Sequence, residues 1–362
     1  MVLSKVRTWA RDVPEIHLDG DDRNPTIRVQ LSDVDYESIV ERAKGEDNEG
    51  RRRELLKEIV SDSLAVQLGN QDIQGAYRHE LVWRGSRRQV DLVFGNVRDR
   101  SWLSDDHFLN APGTWRVVID HPFDDAGHSS AEDLQRLDDM VTKGFESRTI
   151  VWLPKFLADE KIRDLRRLTI LTWLLEGTGE RWRTNADHLN ESDRALAKSI
   201  LESQRNTLRR SLEDAVQQAY GAAAPRPGTL LDDDEHDRVL VSLDRSFAPA
   251  RPGGATLAAA FQHLLNQALE ATYPAHPSFE PGDVEVKVRD LKLVASHVAR
   301  AAADKEKRVD LQGDIVTVRR VANPLGVGAA TEMNYILGDD RFSPWGQEIE
   351  RALGRREQES GV

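Results

Sequence analysis

The chain has 362 residues, 39% hydrophobic and 31% charged, with a net charge of −12, which predicts two or three cores beneath a charged surface. That acidic balance excludes a protein that coats nucleic acid through surplus Lys and Arg, and the absence of Cys excludes disulfide scaffolds, Cys-ligated zinc and thiol catalysis. No apolar run nears the roughly 18 residues of a membrane span, and the N-terminus lacks the apolar core of a secretory signal, so a cytoplasmic location is expected. In chain order, IHLDGDDRNPTIRVQL reads as short extended pieces separated by Asp-Gly and Asn-Pro turn signals. A helix capped by Ser32 or Asp33 is predicted to run to about Ala43, and a second from about Glu49 to Leu68, ending at Gly69. Neither carries a nucleophile pair, so residues 1–75 read as a strand/helix scaffold.

Three apolar runs follow: QVDLVFG, TWRVVID ending in Asp120, and RTIVWLP ending before Lys155. Between the last two, Ser129 with Glu132 three residues on has the form of a capping box, and Leu134, Leu137 and Met140 share one face of the helix it opens. Strand, helix and strand in that order predict a βαβ crossover and a small parallel sheet, covered by a helix from Ala158 to Glu176. The strongest helix begins at Asn190, with Asp193 at its third position, and carries apolar residues at multiples of four up to Gly221. This helix is expected to bridge subdomains and closes an α/β module over 76–220.

Residues 221–255 hold prolines, small residues and an acidic run, and read as an exposed linker. Beyond it come helices from Thr256, over about Val284–Ala302, and over Asp314–Ala322 before Asn323-Pro324. MNYIL reads as a β segment and Ser343-Pro344 as the start of a last helix. The fold class is therefore α/β plus α: a helical N-terminal part, a parallel-sheet module, a long bridging helix, and a mostly helical, winged-helix-like domain over 256–362.

Candidate chemistry is sparse. Neither G-x-x-x-x-G-K-[ST] nor G-x-G-x-x-G occurs, so the chain lacks the usual phosphate cradle. Asp120 ends its apolar run as the acid of a Walker B strand does, where it would hold Mg²⁺ or orient water as the one candidate catalytic residue. A turn whose amides are satisfied by Asp120, Asp124 and Asp125 has the same sequence. Facing an open cleft, Asp120 would favour the first reading; bonded to its own turn, it would favour the second. Asp120, His121, Asp124, Asp125 and His128 together have the residue types of a metal site, but one nine-residue loop cannot converge them all. Arg84, Arg87 and Arg88 surround a turn, where they would hold a phosphate, of nucleotide or DNA, accept an acidic partner surface, or simply be solvated. Arg319 and Arg320, following Lys305, Lys307 and Arg308, offer a second candidate nucleic-acid contact.

Four stretches taken together resemble a known family: YRHELVWRGSRRQVDLVFGNVRD, TWRVVIDHPFDDAGHSSAEDLQRL, RTIVWLPKFLADEKIRDLRRL and ATLAAAFQHLLNQALEATYPAHPSF. With the ESDRALAKSILESQRNTLRRSLEDAVQQAYG helix they resemble the region downstream of the ATPase segment in the PglY/BrxC family of phage-growth-limitation and BREX anti-phage ATPases. The resemblance covers most of the chain, in order. It implies ATP and Mg²⁺ as cofactors of full-length members, whose N-terminal P-loop has no counterpart here, so no ATP-binding residue carries over and no cofactor is expected in this chain. The chain then reads as an internal part or a stand-alone relative of such an ATPase, acting in interaction or in relay of nucleotide state. Its implied partners are other phage-defence proteins; DNA and further copies of the chain are also open. The rival reading makes it half of an NTPase-type site, with Asp120 opposite a P-loop supplied elsewhere.

Overall fold

The computed structural model describes residues 2–13, 16–21, 24–29, 34–124, 127–231, 238–311 and 313–337. It is a mixed α/β protein whose chain divides into two compact units, Met1–His79 with Val90–Ala268, and Glu80–Gln89 with Leu269–Val362. The division thus falls at residue 268, beyond the 221–255 segment.

The first unit opens with α1 (Val2–Asp12) and an antiparallel hairpin, β1 (Ile16–Asp21) and β2 (Asn24–Val29), with Ile16 opposite Val29. Helix α2 (Glu37–Arg42) is shorter than the sequence suggests. The expected caps Ser32 and Asp33 lie outside the described residues; instead the Asp35 carboxylate accepts from the Ser38 amide at 3.1 Å. Helix α3 (Glu49–Ser63) is capped by Asn48, which accepts from the Arg51 amide, and buries Leu55, Leu56 and Ile59. It stops before Gly69 because Ala65 turns left-handed (φ 55°), and the Val66 amide folds back onto the Ser61 carbonyl at 2.9 Å.

Five strands form the central sheet in sequence order: β3 (Tyr77–Trp83), β4 (Ser86–Phe94), β5 (Trp115–Ile119), β6 (Thr149–Trp152) and β7 (Leu240–Ser242). The apolar runs are the parallel strands β4, β5 and β6, as expected, but the sheet is mixed, because β7 pairs antiparallel to β6. Residues 221–255 therefore do more than link: Ala223–Gly228 are exposed, but Leu230 is buried in a bridge to Leu157, and the chain then supplies an edge strand. Its acidic run, Asp232–Asp237, lies outside the described residues.

Helix α4 (Ser130–Thr142) crosses between β5 and β6, and its Leu137 and Met140 pack with Val93, Val118 and Val151 in the core. Ser129 precedes it without capping it through its side chain, and Glu132 turns to His128 at 2.9 Å, so the capping box does not form. Helix α5 (Asp159–Leu175) covers the sheet as predicted. After the short α6 (Glu180–Asn185) comes α7 (Glu191–Ala219), 29 residues capped by Asn190 on the Asp193 amide, which packs along α5 and α3. Helix α8 (Leu257–Thr272) follows, with the Thr256 hydroxyl accepting from the Ala259 amide.

In the second unit α9 (Val288–Ala303), β8 (Arg308–Asp310), α10 (Ile315–Leu325), β9 (Gly328–Ala330) and β10 (Asn334–Leu337) enclose Val294, Ala301, Leu311, Val318 and Tyr335. Asn323-Pro324 does not stop α10, which continues one turn and ends at left-handed Gly326 (φ 66°). A proline in the last turn sacrifices only one hydrogen bond, and the Asn323 side chain accepts from the Ala330 amide at 3.0 Å. The helix expected from Ser343-Pro344 lies outside the described residues.

Candidate functional site

Parallel α/β sheets place ligands beyond the carboxyl ends of their strands, which makes the residues following β4 and β5 the natural place for a site. Asp120 stands there, directly after β5, and is 1% exposed. One carboxylate oxygen accepts from its own turn, the His121 amide at 2.9 Å, and from the Val97 amide in the loop after β4, also at 2.9 Å. The other is buried without a hydrogen-bond partner. The Tyr220 hydroxyl, at the end of α7, donates to the Asp120 carbonyl at 2.5 Å. Asp120 therefore staples two loops and the end of a helix, and faces no open cleft. Burial, reinforced by the charge of Asp133, holds its carboxyl well above the ordinary carboxylate range.

Asp133, in the first turn of α4, accepts from the Arg98 amide at 2.6 Å, and burial chiefly pushes it up to about 7. Asp124 is bound twice by Arg98, at 2.5 and 2.9 Å, and by the Asn96 side-chain amide at 2.6 Å. That bond to Asp124 raises the guanidinium further above its ordinary value. Burial, followed by the charges of Arg53 and Lys57, pulls His121 down to about 3, so it stays neutral. Asp120, Asp124 and His121 are thus close in the fold, but each is committed to closing the loops. No set of three or more His, Cys, Asp or Glu side chains among the described residues is arranged to hold a metal ion.

The five candidate phosphate-binding arginines all belong to the second unit. Arg84 and Gly85 form the two-residue turn between β3 and β4, both with positive φ (47° and 78°), the geometry of a tight hairpin turn. Arg84 donates to Glu270 at 2.8 Å and stacks 4.7 Å from the Trp83 ring. Arg87 binds Glu285 at 3.0 Å and Glu80 at 3.3 Å, and Arg88 lies 4.2 Å over Tyr273. Arg320 donates to the carbonyls of Glu280 and Pro281, each at 3.1 Å, and of Val284; Arg319 donates to the Thr331 carbonyl. The turn and Arg320 converge on one loop, since the Gly85 amide also donates to the Gly282 carbonyl and the Val286 amide to the Gly85 carbonyl. Arg87 and Arg320 thus hold the 280–286 loop, while Arg84, Arg88 and Arg319 engage Glu270, Tyr273 and the Thr331 carbonyl.

A cavity of about 590 Å³ in the first unit has no forerunner in the sequence reading. Its walls come from α3, α5, Tyr77 and Arg181. Arg51 and Arg181 lie 5.6 and 5.0 Å from the Trp173 ring, and Lys57 bridges Glu54 and the Tyr77 hydroxyl. Its lining holds Arg51, Lys57 and Arg181 together with Glu54, Glu58 and Glu176, so it carries balanced charge and selects neither anion nor cation.

Comparison with known protein families settles the kinship. Residues 39–273 match the PglY fourth domain, and residues 289–362 match the fifth domain of the BREX system ATPase PglY protein. The chain belongs to the PglY family. The carboxyl edge of the sheet and the cavity lie in the part matching the PglY fourth domain, and α9, α10, Arg319 and Arg320 in the part matching the fifth; α9 begins one residue before that second match. The two matches part between 273 and 289, close to where the chain divides into its compact units. No solved structure matches the chain.

Proposed function

We propose that this BREX PglY-type chain serves phage defence as a non-catalytic part of the ATPase, docking other components of the defence system and relaying nucleotide state. The observation that carries the reading is the closure of Asp120. The one acid placed where a Walker B residue would act is 1% exposed and bonded to two backbone amides, and no phosphate-binding loop occurs in the sequence. The same closure gives no support to the rival half-site. The cytoplasm is the compartment such a role requires, and no helix among the described residues is long and apolar enough to cross a membrane. The purified chain is expected to bind no labelled ATP and hydrolyse none, while a tagged chain in cells carrying the system co-purifies with another defence component. Tight ATP binding by this chain alone overturns the non-catalytic part.

A second reading has one observation in its favour. Sheet order β8-β10-β9 with α9 and α10 gives helix, strand, helix and hairpin, the succession of a winged helix whose wing turns at Thr331–Met333. That arrangement supports DNA binding by the second unit; engagement of Arg319 and Arg320 with backbone carbonyls weighs against it. A salt-dependent gel shift by the full chain, weakened by Arg319→Ala, is its test.

A further inference from the structure

Helix α9 is apolar on two sides. Val294, His297 and Ala301 face the core of the second unit. On the far side Val288 is 68% and Leu291 42% exposed, and Ala295, Ala299 and Ala302 continue the same stripe in solvent. Positions 288, 291, 295, 299 and 302 recur at steps of three and four and so share one face, over a helix of about 24 Å. A surface helix ordinarily presents charge there, and an apolar stripe left in solvent marks an interaction face. The loop that leads into α9 is held by Arg320 and the Arg84–Gly85 turn, so the start of the helix is fixed before any partner arrives.

Charge decides what fits. Lys292 lies within the stripe, and Arg289 and Arg300 border it. Among the described residues neither Lys292 nor Arg300 forms an ion pair, and Arg289 has only its neighbour Asp290 at 3.5 Å. A second copy of α9 would bring like charges together, at a cost to pairing. We infer that the exposed face of α9 is a docking seam for an acidic amphipathic helix of a partner protein, whose apolar residues pack on Val288 and Leu291 while its carboxylates meet Arg289, Lys292 and Arg300. Small side chains at 295, 299 and 302 let the two backbones approach closely. The inference rests on the docking role proposed above and names its surface.

The probe is a synthetic helical peptide of about three heptads, with Leu at the seam positions and Glu at every flanking one, so that it repels itself. A second peptide carries Lys in place of the flanking Glu. Titrated against the full chain by fluorescence anisotropy, the Glu peptide binds and weakens as salt rises, and the Lys peptide does not bind. Leu291→Asp, at an exposed position, weakens the Glu peptide at least about tenfold; Lys292→Glu with Arg300→Glu exchanges the preference. Equal binding of both peptides, binding of neither, or indifference to Leu291→Asp overturns the inference. So does a dimer of the unaltered chain in sedimentation that Leu291→Asp dissociates, since a second copy is then the occupant. If Leu291→Asp leaves co-purification of the defence component intact, only the seam is wrong; if the unaltered chain captures no such component, the docking role itself fails.

Discussion

The carboxyl edge of the sheet and the 280–286 loop of the second unit are both crowded with charge, yet they are built on opposite terms. At the sheet edge three aspartates and Arg98 are folded inside, where an unmatched carboxyl keeps a proton. Around the loop the arginines stay near solvent and are matched by backbone carbonyls and half-exposed glutamates. The difference teaches that a cluster of functional residue types says little until its burial is known. Inside, charge sets the stability and pH response of the fold; outside, it fixes a loop at small energetic stakes.

The sharpest way to break that contrast is to unpair a buried charge. Arg116 on β5 is 1% exposed, sits in register with Asp91 of β4 at 3.5 Å, and donates to the His107 carbonyl at 3.0 Å. Arg116→Met strands Asp91 in the interior and is expected to cost about 3–5 kcal/mol in urea unfolding, whereas Arg116→Met combined with Asp91→Leu recovers most of that loss. If the single variant unfolds at the parental midpoint, burial does not raise the stakes of charge inside this fold.

A smaller effect is expected at Asp120. Asp120→Ala removes the acceptor of two buried amides, with an expected cost of about 1–3 kcal/mol, while Asp120→Asn keeps an acceptor and sheds the ionisable group. At pH 8 the Asn variant should therefore unfold at or above the parental midpoint and the Ala variant clearly below it. An equal loss in both would mean that the carboxylate itself is needed there.

The pH response follows from Asp133. The folded chain holds its proton up to about 7, whereas the unfolded chain releases it near 3.8, so the folded state binds more protons between these values. Stability contributed by this group is complete below pH 3.8 and is lost as pH rises towards 7. Urea midpoints measured from pH 4 to 8 should decline over that window, and Asp133→Asn should flatten the decline. The smallest effect is expected outside: Arg87, 58% exposed at its side chain, pairs with Glu80 and Glu285, and Arg87→Ala should leave the melting temperature unchanged.

The parallel strands and long helices were legible because their signals are local. VDLVF, WRVVI and TIVW are continuous apolar runs, and Asn190 with Asp193 marks the start of α7 within four residues. Strand β7 was not: Leu240–Ser242 is three residues long, follows an acidic run, and is a strand only because β6 offers an edge. Pro324 misled for a related reason, since a proline ends a helix only where the bond it removes is needed. For Asp120, its place after β5 was readable, but its closure was not, because Val97, Asp133 and Tyr220 come to it from distant parts of the sequence. The cavity was invisible for the same reason, its walls being assembled from α3, α5, Tyr77 and Arg181.

Tyr220 has a mechanical meaning as well. It caps the last turn of α7, donates to the Asp120 carbonyl, and accepts from the Trp152 indole at 3.0 Å, so the helix is clamped to two adjacent strands at one end. A helix of 29 residues is about 44 Å long. Because α7 also packs along α5 and α3 over its length, it serves as a strut: its pinned end fixes where the Asp120 turn stands relative to the two helices beside it.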